Sequence, residues 1–203
     1  MIFCAKLNRA IVDCESCKLA KHAKKSVPLR TSRRSTKVGE RIHFDMGHVG
    51  TPSLENSRYF VLFKDEYSAY RHIYFMKSKE EVLACMQKVI AEVKLDCNND
   101  VLCFYTDRGT EVINKKAQEF LLQKGIVHQT TAPFTPSQNG YIEREMRTVM
   151  EHARSMLFAK NLPEFLWVEA ANTAVYLLNR SNCSLGSKTA YEAYFGRKPR
   201  VTH

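Results

Sequence analysis

The chain has 203 residues, of which 44% are hydrophobic, and its 31 basic and 21 acidic side chains leave a formal net charge of +10. This length allows one full domain plus an appendage, and the hydrophobic content is ample for a core. No apolar run reaches the length of a membrane span and no long apolar segment stands at the N-terminus, so we expect no membrane partner.

The net charge indicates the kind of binding partner, and the cysteines indicate the cellular compartment. The excess of basic residues suits a polyanion such as nucleic acid, although a solvated basic surface would have the same composition. Seven cysteines, an odd number that falls partly inside apolar runs, are typical of reduced thiols. We therefore expect a protein of the nucleus or cytoplasm that is not secreted.

The first 40 residues differ in composition from the rest. Cys14 and Cys17 form a CxxC pair, and a dense series of lysines and arginines follows them as far as Lys37. Such a run of like charge is typical of an extended, solvated arm. A CxxC pair is half of a zinc site, which needs four ligands. We interpret residues 1–40 as a truncated zinc-binding-like segment and a basic linker, with Cys14 and Cys17 as a zinc remnant.

Regular elements are predicted along the rest of the chain. Apolar runs bounded by turn residues predict five strands, at 41–46, 59–64, 70–75, 101–105 and 126–129. The first three follow one another through short polar links, which favours an antiparallel meander. Helical periodicity predicts helices over 79–97, 114–123 and 141–160. Pro163 suits the first turn of a further apolar helix. After Arg180 the chain becomes polar, and no closing element is expected.

Three residues have ordinary structural interpretations. Asp65 follows the second strand and is expected to shape a turn rather than to catalyse. Trp167, the only tryptophan, is expected in the core. His128, on the short fifth strand, is expected to be structural, and we leave it out of the metal ligands.

Three acids lie on separate predicted elements. Asp45 lies within the first strand, Asp107 just past the fourth, and Glu143 near the start of the helix over 141–160. An acid beyond the carboxyl end of a strand lies where open α/β sheets place their chemistry. Mg²⁺ prefers carboxylate and water oxygens, and two such ions about 3.5–4 Å apart assist phosphoryl transfer. Asp45 alone would be read as an exposed acid at a strand end, but the other two acids favour a metal role.

Several short motifs carry a resemblance to a known family. They are His43-Phe44-Asp45, Thr106-Asp107-Arg108-Gly109-Thr110-Glu111, Asn139-Gly140-Tyr141-Ile142-Glu143-Arg144 and Phe195-Gly196-Arg197-Lys198-Pro199. With these motifs in this order, the chain from about Cys14 onward resembles the retroviral-type integrase core, most closely the integrases of copia-type retrotransposon Pol polyproteins. That family has a D,D(35)E pattern, and 35 residues separate Asp107 from Glu143 here.

The resemblance implies a fold and an activity. The fold would be α/β and ribonuclease-H-like, a mixed five-stranded sheet with helices on both faces, in a strand order that spacing alone does not give. The activity would be polynucleotidyl transfer in DNA integration, with 3′-end processing and strand transfer. Asp45, Asp107 and Glu143 would be the catalytic residues and would hold two Mg²⁺ or Mn²⁺ ions. The partner would be DNA, as retrotransposon ends and as target, and the enzyme would be a homo-oligomer.

The zinc remnant departs from the family pattern. In the family an upstream histidine pair completes the zinc site, whereas no histidine precedes Cys14 here. Zn²⁺ is therefore not expected in this fragment.

Two segments are candidates for DNA contacts. Residues 130–140 have loop composition and are either a flap that grips a DNA end or an ordinary connector, with Gln138 and Asn139 as polar DNA contacts. On the exposed side of the helix over 141–160, three arginines are candidates for phosphate contacts: Arg144, Arg147 and Arg154. Pairing of these arginines with glutamates of the same helix is the simpler alternative.

We expect residues 41–180 to form an integrase catalytic core, with residues 181–203 as its C-terminal extension. Two other functions stay open. One is a catalytically silent, nucleic-acid-binding remnant of an integrase, which the incomplete zinc pattern favours. The other is a plain nuclease that shares the metal site.

Overall fold

The computed structural model describes residues 35–106, 114–130, 140–181 and 188–200. Three strands come first in these residues, two further strands then alternate with helices, and helices come last. These residues belong to one compact unit, Ser32–His203. Its strands are β1 (Ile42–His48), β2 (Tyr59–Asp65), β3 (Arg71–Met76), β4 (Cys103–Thr106) and β5 (Val127–Thr130). Its helices are α1 (Val82–Cys97), α2 (Lys115–Gln123), α3 (Tyr141–Ala159), α4 (Trp167–Arg180) and α5 (Ala190–Phe195).

The five strands form one mixed sheet in the order β3-β2-β1-β4-β5. The meander of β1, β2 and β3 is antiparallel as predicted, whereas β4 and β5 add in parallel on the other side of β1. β1 runs two residues beyond the predicted end because Gly47 and His48 still pair with β2. β4 begins two residues later than predicted, at Cys103, and extends to Thr106.

Helices cover both faces of the sheet, as the predicted architecture requires. Along β2, Phe60 and Leu62 pack into one core cluster with α3 and α4. Val61 and Phe63 alternate with them and pack into the other cluster with α1, α2 and α5. Because successive side chains of a strand point to opposite faces, a strand buried on both faces carries a continuous apolar run.

Local signals explain where the helices begin and end. Asn114 begins α2 by accepting a hydrogen bond from the Ala117 N–H, and Gly125 follows its end with a φ of +67°, as predicted for a helix stop. Asn98 ends α1 in the left-handed conformation. None of the described helices combines the length and the apolarity needed to cross a membrane.

The expectation that no element closes the chain was wrong. Thr189 and Glu192 form a reciprocal capping box that begins α5, and Gly196 ends the helix in the left-handed conformation. Tyr194 of α5 is 4% exposed and belongs to the cluster beneath α1. The Thr-x-x-Glu pattern at Thr189 and Glu192 was the signal for the start of this helix. The helix was missed because the apolar run that follows Thr189 is too short to show helical periodicity.

Asp65 and Trp167 have the structural roles predicted for them. The Asp65 carboxylate accepts hydrogen bonds from the Gly39 N–H at 2.8 Å and from the Ser68 N–H and hydroxyl at 2.7 Å each. It therefore shapes the turn between β2 and β3. Trp167 is 2% exposed in the core, and its indole N–H donates to the Thr51 carbonyl at 3.0 Å.

Gly47 allows β1 to approach the layer above it. A Cβ added there would lie 2.3 Å from two ring carbons of Phe60 and 3.0 Å from Cε of Met146 on α3. Phe60 is part of the cluster beneath α3 and α4. The absence of a side chain at Gly47 therefore lets the Phe60 ring and α3 pack closely on β1.

We expect Gly47→Ala to destabilise the fold by about 1–3 kcal/mol, because the new methyl group displaces the Phe60 ring. The melting temperature should fall by about 2–4 °C per kcal/mol. Gly50→Ala is the matched control, because no atom lies within 4 Å of a Cβ at that position. Equal melting temperatures for the two variants in a thermal scan would contradict the close approach.

Candidate active site

Asp45 lies near the middle of β1, the central strand of the sheet. It is opposite Leu62 on β2, and Leu62 packs in the cluster beneath α3 and α4. Because directly opposite residues point to the same face of a sheet, Asp45 lies on the face that α3 covers. Thr106, the last residue of β4, pairs in parallel with Phe44. β4 therefore ends beside Asp45, and the next residue in sequence, Asp107, lies outside the described residues.

Glu143 comes from the first turn of α3, a helix that contacts β1. Its neighbour Ile142 is 1% exposed in the core, whereas Glu143 and Arg144 are exposed. Glu143 thus lies at the boundary between core and solvent, as the amphipathic pattern predicted.

Asp45 and Glu143 interact through their charges. Burial raises the pKa of the Asp45 carboxyl above its usual value, and the negative charge of Glu143 raises it further. A hydrogen bond from the Met46 N–H to Asp45 Oδ1, 2.8 Å long, opposes this shift without cancelling it. Burial is the largest cause of the upward shift, and the charge of Glu143 is a smaller one. Carboxylate oxygens are the ligands that Mg²⁺ and Mn²⁺ prefer, so this pair fits a divalent cation.

His43, two residues before Asp45 on β1, is packed between aromatic rings. Its ring centroid lies 4.9 Å from that of Tyr105 and 4.9 Å from that of Tyr141, the first residue of α3. Burial lowers the pKa of His43 to about 4, with help from the positive charges of Arg41 and Lys64. The imidazole is therefore neutral at pH 7 and acts as a packing group between β1, β4 and α3.

A nearly buried ion network joins α3 to the sheet. Lys64 on β2 and Arg71 on β3 are directly opposite each other. One carboxylate oxygen of Glu145 accepts a hydrogen bond from Lys64 Nζ, and the other accepts one from Arg71 Nε. Burial raises the pKa of the Glu145 carboxyl, but the two cations outweigh burial and hold it below its usual range. Glu145 is therefore ionised at neutral pH and fixes α3 to two strands.

The end of β4 is held by a side-chain contact. Thr106 is fully buried, and its hydroxyl lies 2.9 Å from Nε2 of His128 on β5. Burial lowers the pKa of His128, which keeps its ring neutral at pH 7. The contact agrees with the structural role predicted for His128, and it fixes the residue that precedes Asp107 in sequence.

The structure places two of the predicted site residues, Asp45 and Glu143, close enough for the charge of Glu143 to affect the pKa of Asp45. It leaves the three predicted phosphate contacts exposed along α3: Arg144, Arg147 and Arg154. Arg144 also donates from Nε to the Gly140 carbonyl at 2.7 Å. Five other predicted residues lie outside the described part of the chain and stay predictions: Asp107, Gln138, Asn139, Cys14 and Cys17.

The described residues alone do not complete a metal site. Among them, no group of three histidine, cysteine, aspartate or glutamate side chains is arranged to hold a metal ion. The predicted trio has its third member, Asp107, outside these residues. The two predicted ligands that are described, Asp45 and Glu143, supply the carboxylate oxygens that a hard cation prefers.

Sequence reasoning missed the network of Lys64, Arg71 and Glu145. The available signal was Lys64, which directly follows the apolar run Phe60–Phe63. It comes two residues after Leu62, so its side chain is on the same, inward face of the strand. A basic residue in that position needs an acidic partner when the strand is buried on both faces. The partner lies 81 residues away in sequence, which no local pattern indicates.

Comparison with known proteins confirms the predicted resemblance. Residues 35–136 match the Integrase core domain family. The chain is 34% identical over 172 residues to the Retrovirus-related Pol polyprotein from transposon TNT 1-94 of Nicotiana tabacum, covering 84% of this chain and 13% of that protein. It is 30% identical over 191 residues to the Retrovirus-related Pol polyprotein from transposon RE2 of Arabidopsis thaliana, covering 93% of this chain and 13% of that protein. The chain thus spans about an eighth of these relatives.

Solved structures share the fold. The HTLV-2 integrase catalytic core domain in complex with magnesium, in its trimeric form, has a TM-score of 0.59 at 20% identity, covering 79% of this chain and 99% of that one. The simian T-cell lymphotropic virus intasome in complex with PP2A regulatory subunit B56 gamma has a TM-score of 0.68 at 19% identity, covering 94% of this chain and 65% of that one. The predicted ribonuclease-H-like architecture is therefore confirmed.

We expect Asp45→Asn to raise the melting temperature at pH 7 without metal, because the variant removes a half-buried carboxylate whose charged form is disfavoured by burial and by the charge of Glu143. Mn²⁺ at ten times its dissociation constant should stabilise the wild type by about 1.4 kcal/mol and Asp45→Asn by much less. Asp100→Asn is the control, since Asp100 is exposed in a surface pair with Lys94. An equal Mn²⁺ response of Asp45→Asn and wild type in a thermal scan would exclude Asp45 as a ligand.

We expect Glu145→Gln to cost about 3 kcal/mol or more at pH 7, because it leaves two nearly buried cations unpaired. The folded pKa of Glu145 is lowered, so its contribution is present above the ordinary pKa of 4.5 and is lost as pH falls through the folded pKa. The gap in melting temperature from wild type should therefore persist from pH 7 to about 5 and close at lower pH. A gap that widened below pH 4.5 would be the contrary result.

Proposed function

Because the chain belongs to the Integrase core domain family, we propose that it is a metal-dependent polynucleotidyl transferase of DNA integration in a copia-type retrotransposon. Its reactions would be 3′-end processing and strand transfer. The observation that supports this proposal is that Asp45 lies on the face of the central strand that α3 covers, and that the first turn of α3 carries Glu143. The negative charge of Glu143 also adds to the rise that burial gives the pKa of Asp45.

Asp45, Asp107 and Glu143 would hold the two Mg²⁺ or Mn²⁺ ions. When bound, such ions activate an attacking oxygen and stabilise a leaving oxygen in phosphoryl transfer. The residues of the chain position these ligands. The Met46 N–H orients one oxygen of Asp45, and the packing of α3 on the sheet sets the position of Glu143.

The proposed reaction needs no covalent bond to the protein. In end processing, a water oxygen would bond to phosphorus while the bond from phosphorus to a DNA 3′-oxygen breaks. In strand transfer, a DNA 3′-hydroxyl would be the nucleophile, and a 3′-oxygen of the target strand would leave. Most of the acceleration would come from positioning the DNA and neutralising charge.

Basic side chains would hold the DNA backbone. Arg144, Arg147 and Arg154 are exposed on α3, the helix that carries Glu143. Phosphate contacts from such residues supply affinity that does not depend on base sequence. We also propose Gln138 and Asn139 as polar DNA contacts. A homo-oligomer would bring two retrotransposon ends to the target, in the nucleus or cytoplasm.

The test is cleavage and joining of a labelled DNA end by the full chain with Mn²⁺. We expect wild type and Asp100→Asn to form product. Asp107→Asn should lose about 100-fold or more in rate, because charge stabilisation worth several kcal/mol is removed. DNA binding should be unchanged in all three proteins, which separates catalysis from binding.

Two outcomes would contradict this proposal in different ways. Equal product from wild type and Asp107→Asn would exclude the three-acid metal site. Salt-sensitive DNA binding by the wild type, with no product under any divalent metal, would instead assign the chain as a DNA-binding integrase remnant. Cleavage without joining of two DNA ends would indicate a nuclease.

A further inference from the structure

Two cations face each other on the sheet beneath the start of α3. Lys64 and Arg71 are directly opposite on β2 and β3, and their side chains are only 8% and 9% exposed. Like charges that are directly opposite in a sheet repel, and burial strengthens the repulsion. This pair therefore needs an anion from another element.

Glu145 of α3 supplies that anion. Its two oxygens accept hydrogen bonds from Lys64 and Arg71 separately, and its side chain is 12% exposed. Arg71 Nη1 also donates to the Ala69 and Leu178 carbonyls, at 3.2 and 3.4 Å. Glu145 is thus held by cations that are themselves anchored to the sheet and to α4.

A second chain of contacts leads from the same lysine to β1. Lys64 Nζ lies 4.3 Å from the ring centroid of Tyr141, the first residue of α3. The Tyr141 ring packs on His43, which lies two residues before Asp45 on β1. The start of α3 is therefore tied to the strand that carries the first acid.

Glu143 lies between the two anchored residues of α3. Gly140 is the N-cap and has no side chain to cap the helix. Contacts with the sheet through Tyr141 and Glu145 therefore fix the orientation of the first turn. Glu143 itself is exposed, so its own side-chain packing does not fix its position.

We propose that Glu145, held between Lys64 and Arg71, is a positioning residue that fixes Glu143 near Asp45 and thereby sets the affinity of the site for divalent cations. This inference rests on the proposed function, since it concerns the same metal site. Glu145 acts through α3 and is not itself a ligand. Groups that orient metal ligands commonly change metal affinity by about 10–100-fold when they are removed.

The test compares the full 203-residue chain as wild type, Glu145→Gln, Glu145→Asp and Glu151→Gln. Glu151→Gln is the matched control, because it makes the same substitution at an exposed position of the same helix. Two properties are measured without any reaction: amide hydrogen exchange by mass spectrometry, and binding of Mn²⁺ alone by electron paramagnetic resonance.

Glu145→Gln should speed exchange in residues 141–149 by a larger factor than in α1, where only the loss of overall stability acts. It should also weaken Mn²⁺ binding about tenfold or more. Glu145→Asp keeps the charge but is one methylene shorter, so it should show the same changes to a smaller extent. Glu151→Gln should match wild type in both measurements.

Mn²⁺ affinity and local exchange at wild-type values in Glu145→Gln would overturn the inference. So would faster exchange across the whole chain with unchanged Mn²⁺ affinity, which would assign Glu145 to stability alone. If Glu145→Gln does not fold, the test uses Glu145→Asp. Local exchange and Mn²⁺ affinity at wild-type values in that variant would also overturn the inference. A wild type that binds no Mn²⁺ would instead overturn the proposed metal site itself.

Discussion

An acid half-buried on the central strand is the constraint on which the rest of this structure depends. Burial raises the pKa of the Asp45 carboxyl, and the negative charge of Glu143, in the first turn of α3, adds to the rise. Bringing two acids together costs free energy, which packing elsewhere in the domain must supply. Such a cost is expected where oxygen ligands are kept ready for divalent cations.

The fold maintains this arrangement through the packing of neighbouring elements. β1 is flanked by β2 and β4, and Phe60 and Leu62 of β2 pack under α3. Gly47 permits the close approach of Phe60 and Met146, and Glu145 attaches α3 to two cations of the sheet. These contacts are spread over five elements, so the relative position of the two acids is set by the packing of the sheet and α3 rather than by a loop.

Much of the fold was predictable because its signals are local. The antiparallel meander followed from three apolar runs with short links, and α1, α2 and α3 followed from periodicity and helix stops. The parallel addition of β4 and β5 came only from the family resemblance, because strand order depends on long-range pairing. α5 was missed because its capping box stands before a very short apolar run. The roles of Lys64, Arg71 and Glu145 depend on contacts across 74 and 81 residues, which local patterns do not contain.

The central claim is that acids from β1, from the end of β4 and from α3 converge on shared cations. Anomalous X-ray scattering from crystals of this chain grown with Mn²⁺ tests it most directly. The account predicts manganese bound by carboxylate oxygens of Asp45, Asp107 and Glu143, at about 2.0–2.3 Å as is usual for small divalent cations. Manganese bound elsewhere, with the Asp107 carboxylate directed away from Asp45 and Glu143, would contradict it.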